Sequence, residues 1–152
     1  MAVKVSVDLH GIFFTGNPVG RLHRNVYDVL KEEGDYAVEA SKRELGARQR
    51  TYGRGGSRRE FSGAAVILAD NIVKQPMRMR RSLMRVVVSA NYGPQPWARK
   101  YNRYLDTGEP KNRYQSGSFR GYHFYRRAAR QTQAHIDGRI GQIANHLVEG
   151  IT

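Results

Sequence analysis

The fold of this chain is decided by residues 101–110, which read YNRYLDTGEP. Tyr101, Tyr104 and Leu105 have the i, i+3, i+4 spacing that places three large apolar side chains on one face of a helical turn. Gly108 can adopt the left-handed conformation that caps a helix, and Pro110 cannot continue one. The stretch therefore predicts a short helix that is anchored in the core and runs into a loop.

A strand and a long helix are predicted before this turn. Residues 2–10 alternate apolar and polar side chains, which is the pattern of a half-buried strand. Asn17 followed by Pro18 is a helix start, because Asn caps well and Pro fits the first helical position. An apolar stripe at helical spacing then continues to Leu45, so we expect one helix to about Arg48, with a kink permitted at Gly34.

The middle of the chain predicts further short elements. Residues 62–72 are apolar and fit a helix capped by Ser62, although residues 64–68 also fit a buried strand. Residues 77–89 indicate β structure centred on three consecutive valines, with methionines on one face and arginines on the other. Two loops are expected, at about 48–62 and 108–121.

The C-terminal region predicts a second long helix, from His123 to Val148. Its apolar residues recur at spacings near 3.6 and are Phe124, Ala128, Ile136, Ile140, Ile143, Ala144 and Leu147. Gly138 and Gly141 weaken the helix but permit close packing against a neighbour. The predicted fold is thus a single α+β domain, 1–152, in which a small antiparallel sheet packs against two long helices, with a long mobile basic loop.

Charge is the strongest global feature of the sequence. The 152 residues carry a net charge of +13 with a pI near 10.5, and no acid interrupts residues 111–130. Such a balance predicts an anionic partner, either nucleic acid or an acidic protein surface. Residues 48–62 combine Arg, Gly and Ser with few apolar side chains, so we interpret them as mobile in isolation. This loop is either a solvated surface loop or an arm that orders on a partner.

The sequence offers no catalytic or cofactor-binding motif. There is no cysteine, no phosphate-binding glycine loop, and no metal-ligand spacing among the five histidines. Glu32, Glu33 and Asp35 cluster beside Lys31, which is typical of a solvated helix face. We therefore expect a protein that is not an enzyme and needs no metal or cofactor. No apolar run approaches the roughly 20 residues of a membrane span, and the N-terminus does not open as a signal peptide, so we expect a soluble, unexported chain.

The 101–110 turn is a Tyr-x-x-Tyr-aliphatic-acid-x-Gly pattern, and FYRRA at 124–128 is an aromatic, Arg-rich helix start. Together they resemble the tail-completion and tail-terminator family of long-tailed phages, small proteins that join head to tail or cap the tail tube as rings. At Tyr125 this chain has tyrosine where the family usually has leucine. The residues that match the family turn or begin its last helix, and that we expect as core anchors, are Tyr101, Tyr104, Leu105, Gly108 and Phe124.

The resemblance implies a structural virion protein, assembled in the host cytoplasm as a ring for which six subunits are expected. Its implied partners are further copies of itself, an adjacent neck ring or head-closure protein, the tail tube protein, and DNA passing through the ring. The cations that we expect at partner contacts are Arg48, Arg50, Arg54, Arg58, Arg59, Arg78, Arg80 and Arg81. The alternative is a small nucleic-acid-binding module that uses the Arg/Gly-rich loop.

Overall fold

A computed structural model describes residues 2–8, 18–51, 68–75, 77–80, 83–108 and 120–149. Within these residues the strands are β1 (Val3–Asp8), β2 (Val73–Lys74), β3 (Arg78–Arg80) and β4 (Leu83–Ser89). The helices are α1 (Pro18–Thr51), α2 (Pro96–Thr107) and α3 (Phe124–Val148), and a 3₁₀ turn, Ala90–Tyr92, follows β4. The predicted α+β class, a small antiparallel sheet with two long helices, is confirmed.

The sheet is built around β4, whose valines favour the pleated conformation. β1 pairs antiparallel with the full length of β4, from Val3 opposite Val88 to Asp8 opposite Leu83. β2 and β3 pair with β4 along its other edge. Residues 77–89, predicted as one β segment, are therefore a hairpin of β3 and β4. The two-residue β2 was not predicted, because it is too short to show a period.

One face of the sheet packs against the helices. Val86 and Val88 of β4 are fully buried, as are Val26 and Leu30 of α1. Gly34 lies where α1 crosses β4: a Cβ added there would be only 3.1 Å from Val86 Cγ2. The helix continues through Gly34, so this glycine permits close approach to the sheet and does not end the helix.

Two predicted details are corrected and a third is confirmed in its described part. α1 extends to Thr51, so the segment predicted as the start of the mobile loop is helical at residues 48–51. Ile140 and Ala144 were predicted on the apolar face of α3, but both are exposed, because the outward side of that helix also carries apolar side chains. Residues 68–71 are helical, in agreement with the helical interpretation of 62–72. Residues 62–67, most of the predicted basic loop and residues 109–119 lie outside the described residues.

The 101–110 turn behaves as predicted. Tyr104 is 5% exposed and Leu105 1% exposed, so both are core residues. Gly108 has φ 76° and caps α2 in the left-handed conformation, with its N–H donating to the Tyr104 carbonyl at 2.8 Å. Tyr101 is in α2, but its side chain is outside the described part, as is Pro110.

Replacing Tyr104 by alanine should destabilise the subunit strongly. The substitution removes a buried ring and leaves a cavity, so we expect the free energy of unfolding to fall by about 3–5 kcal/mol. Chemical denaturation monitored by circular dichroism measures this change. Tyr27→Ala is the matched control, because Tyr27 is 48% exposed, and should cost less than about 1 kcal/mol. Equal losses for the two variants would show that Tyr104 is not a core anchor.

Candidate partner-binding site

The two segments that carry the family resemblance meet at one corner of the molecule, where the end of α2 meets the start of α3. Tyr122 N–H donates to the Leu105 carbonyl and His123 N–H to the Asp106 carbonyl, each at 2.7 Å. Tyr125 N–H donates to Asp106 Oδ1 at 3.1 Å. The carboxyl group of Asp106 therefore caps the start of α3 from another helix. We call residues 104–108 and 121–125 the α2–α3 corner.

The backbone of this corner requires unusual conformations. Gly121 has φ 74°, and a Cβ there would lie 2.4 Å from the Asp106 carbonyl oxygen. His123, at the N-cap position of α3, has φ 51° and makes no side-chain capping bond. The local sequence thus supplies no cap for α3, and Asp106 takes that role. Only glycine fits at 121, because any side chain there would collide with the backbone of α2.

Asp106 is fully buried, and its second oxygen, Oδ2, has no hydrogen-bond partner among the described residues. Burial raises the pKa of this carboxyl group, and the hydrogen bond from Tyr125 N–H partly opposes the rise. The α2–α3 corner is consequently stabilised by a backbone hydrogen-bond network around a carboxylate that is costly to ionise.

A second buried polar network connects the corner to the end of β4. The Tyr125 hydroxyl accepts a hydrogen bond from Ala90 N–H at 2.8 Å, and burial raises the pKa of Tyr125 to about 12. Asn102 Nδ2 donates to Ser89 Oγ at 3.2 Å and to Asn91 Oδ1 at 3.1 Å. The Tyr125 bond places α3 on the end of the sheet, and the two Asn102 bonds place α2 there. Asn102 Oδ1 is buried and has no hydrogen-bond partner among the described residues.

The contact between α1 and α3 contains a row of ion pairs. Glu44 accepts hydrogen bonds from Arg127 Nε, at 2.7 Å, and from Gln131. Gln131 in turn accepts one from Arg43 Nη2 at 3.0 Å. Arg127 also donates to the Tyr122 carbonyl, which links this row to the α2–α3 corner. The positive charge of Arg127 is therefore neutralised within the subunit.

Further along the same contact, Arg139 Nη1 bonds Glu32 Oε1 at 2.7 Å and Glu33 Oε1 at 3.2 Å. Glu33 is 1% exposed, so its interpretation as part of a solvated face was wrong: α3 covers it. His135 lies 3.6 Å from Glu33 and stacks on Tyr36 with ring centroids 3.9 Å apart. Burial raises the pKa of Glu33, whereas the hydrogen bond from Arg139 lowers the pKa of Glu32.

A cavity of about 250 Å³ opens beside these ion pairs. Its lining residues are Val29, Glu32, Arg139, Gln142, Ile143 and His146. Glu32 and Arg139 already neutralise each other, and the described residues contain no cluster of three metal-ligating side chains. Among the described residues, the cavity lining therefore offers no metal-binding cluster.

The outward side of α3 carries exposed apolar and small residues beside polar ones such as Asp137 and Asn145. Ile140 is 62% exposed and Val148 56% exposed. Gly138 and Gly141 lie on the same helix, and a Cβ added to either would meet no atom within 4 Å. We call Gly138, Ile140, Gly141, Ala144 and Val148 the outer face of α3.

The structure brings together four of the five predicted core anchors. Tyr104, Leu105, Gly108 and Phe124 all belong to the α2–α3 corner, and Phe124 is fully buried. Of the predicted contact cations, two are in α1 (Arg48 and Arg50) and two in β3 (Arg78 and Arg80), with side chains outside the described part. The others, Arg54, Arg58, Arg59 and Arg81, lie outside the described residues altogether.

Sequence reasoning missed the role of Asp106 and Asn102. The available signal was negative: α3 begins after Gly121-Tyr122-His123, which contains none of the usual capping side chains, so its cap had to come from elsewhere.

Comparison with protein-family models, curated proteins and solved structures finds no match to this chain. No helix among the described residues is both long and apolar enough to cross a bilayer.

Gly121→Ala should disrupt the α2–α3 corner. The new methyl group would meet the Asp106 carbonyl oxygen, and the backbone would be held at a positive φ, so we expect a loss of about 2 kcal/mol or more. Gly138→Ala is the matched control: it meets no neighbouring atom and should stabilise the helix by up to about 1 kcal/mol. Thermal and denaturant unfolding of the two variants test the pair. A neutral Gly121→Ala would contradict the described geometry.

Glu32 and Glu33 should give opposite pH dependences. The raised pKa of Glu33 means that its contribution to folding is fully present at low pH and is lost as pH rises through the folded pKa. The lowered pKa of Glu32 means that its contribution is present at neutral pH and is lost on acidification. The stability difference between wild type and Glu33→Gln should therefore grow in favour of wild type from about pH 7 to about pH 4, whereas that for Glu32→Gln should shrink. If the free energies of unfolding of the two variants, measured in urea, changed in parallel with pH, the described arrangement would be refuted.

Proposed function

We propose that this chain is a structural protein of the neck or tail of a long-tailed phage, forming a ring that completes or terminates the tail tube. In this role it joins the tail to the head, and DNA passes through the ring. The proposal is supported chiefly by one observation. The two segments that carry the resemblance belong to the end of α2 and the start of α3, and they bond directly to each other at the α2–α3 corner.

The nature of that corner favours an architectural role. Tyr104, Leu105 and Phe124 are buried, and Asp106 is engaged with the backbone of α3. None of these groups presents a reactive atom to solvent. The motif therefore acts by holding two helices at a defined angle, which is what a subunit with fixed neighbours requires.

The outer face of α3 is suited to contact a neighbouring copy. Each glycine in a helix interior costs about 1 kcal/mol relative to alanine, and neither Gly138 nor Gly141 is required by a contact within the described subunit. Glycines let another element approach closely, and exposed Ile140 and Val148 would be buried by that approach. In a closed ring every subunit needs such a surface for its neighbour.

The charges of the described residues favour an anionic partner. Most acids of α1 are neutralised internally, as in the Asp35–Lys74 pair at 2.6 Å and the Glu44–Arg127 pair at 2.7 Å. Exposed Arg126 and Arg130 at the start of α3 form no ion pair with another described residue. The excess positive charge is therefore on the surface, where it can attract DNA or an acidic neighbouring ring.

The oligomeric state tests the proposal directly. We expect the purified chain, alone or with tail tubes, to form a closed ring of six subunits, as observed by mass photometry and negative-stain electron microscopy. Ile140→Asp should prevent ring formation without lowering the melting temperature by more than a few degrees, because it buries a charge only in the assembly. Tyr92→Asp is the control, since Tyr92 is 44% exposed and lies away from α3's outer face.

A chain that stays monomeric or dimeric under all these conditions, while binding duplex DNA with a steep salt dependence, would contradict the ring. It would instead support the alternative, a small nucleic-acid-binding module.

A further inference from the structure

The sheet face that points away from the core carries cations. On β4, Met84, Val86 and Val88 are buried, and Arg85 between them is exposed. On β1, Val3 is buried, whereas Lys4 and Ser6 are exposed. Because side chains alternate across a strand, Lys4, Ser6 and Arg85 share the face opposite Met84, Val86 and Val88. Val87 belongs to the same face as Arg85 but is only 6% exposed. We call this surface, with Lys4, Ser6 and Arg85, the outer sheet face.

The register brings further cations to the same strands. Ser6 and Arg78 are the two residues paired with Arg85, one on each neighbouring strand. Lys4 is paired with Val87, one diagonal step from Arg85. The backbone register therefore places two further basic residues, Lys4 and Arg78, on the strands next to Arg85.

Neither Lys4 nor Arg85 forms an ion pair with any other described residue. This distinguishes them from Lys74 and Arg139, whose charges are neutralised by acids of α1. The outer sheet face thus has a positive charge that the described subunit does not compensate.

We infer that the outer sheet face binds the phosphate backbone of duplex DNA, without sequence preference. This inference deepens the proposed function and rests on it for the presence of DNA inside the assembly. Arginine matches phosphate oxygens with a planar fork, lysine binds them as a point charge, and serine donates a hydrogen bond to them.

Two features favour duplex DNA over other anionic partners. The exposed residues Lys4, Ser6 and Arg85 include no aromatic or aliphatic anchor of the kind that dominates protein–protein interfaces. They also include no aromatic ring on which an unpaired base could stack, as single-strand binders require. Cations and a hydroxyl on a pleated surface are suited to phosphates, and they read no base edges.

The test uses the full-length chain and a fluorescein-labelled duplex of random sequence, with fluorescence anisotropy at about 50 and about 200 mM salt. The double variant Lys4→Gln/Arg85→Gln should weaken binding at least about tenfold and reduce the slope of log affinity against log salt by about 2. The control Arg24→Gln/Lys31→Gln has the same net charge and alters two exposed cations of α1. It should change affinity less than about threefold.

Several results would overturn the inference. One is an equal loss in both double variants, which would reduce binding to net charge alone. Another would be that the sheet variant binds DNA with wild-type affinity, whereas replacement of Arg54, Arg58 and Arg59 by serine abolishes binding. That result would assign DNA binding to the basic loop. A third would be that poly-glutamate binds with the same affinity as DNA and loses as much affinity in the sheet variant. That result would indicate an acidic protein partner.

Mass photometry of the same variants separates this inference from the proposed function. If Lys4→Gln/Arg85→Gln forms rings and binds DNA as wild type does, the inference fails and the ring stands. If wild type forms no ring but the sheet variant still loses DNA binding selectively, the proposed function fails and the DNA-binding face stands. Circular dichroism should show the same melting temperature, within a few degrees, for all variants.

Discussion

The hydrogen bond from Tyr125 N–H to the carboxyl group of Asp106 is the interaction on which the arrangement of the helices depends. The first N–H groups of a helix have no partner within it, and α3 has no capping side chain of its own at His123. By taking its cap from α2, α3 can begin only where α2 ends. The way α3 packs along α1 thus depends on the hydrogen bond that the buried carboxyl group of Asp106 accepts.

The polar row between α1 and α3 complements this constraint. A purely apolar contact would allow the helices to slide by one turn, whereas Glu44 with Arg127 and Glu33 with Arg139 bond correctly in one register only. Buried ion pairs contribute little net stability, because desolvation offsets their attraction. Their effect here is to select one alignment, and the apolar residues of β4 and α1 supply the stability.

Sequence reasoning predicted what periodicity and local chemistry determine. The long helices, β1, the cap at Gly108 and the burial of Tyr104 and Leu105 all follow from spacing or from the properties of one residue. It did not predict what depends on contacts between distant segments. The burial of Glu33 requires α3 to cover α1, and the role of Asp106 requires α3 to begin beside it; neither is encoded in the neighbouring residues. The exposure of Ile140 was missed because periodicity cannot say which side of a helix meets the core.

The pairing of β1 with β4 has a consequence for the order of folding. Val3 pairs with Val88, so β1 closes a loop that spans residues 4–87, including α1, while the α2–α3 corner joins segments much closer in sequence. Loop-closure entropy penalises distant contacts, and chains rich in them fold more slowly. We therefore expect the corner to form early and β1 to add last. During synthesis β1 leaves the ribosome first and must wait for its partner strand, with one hydrophobic side still uncovered.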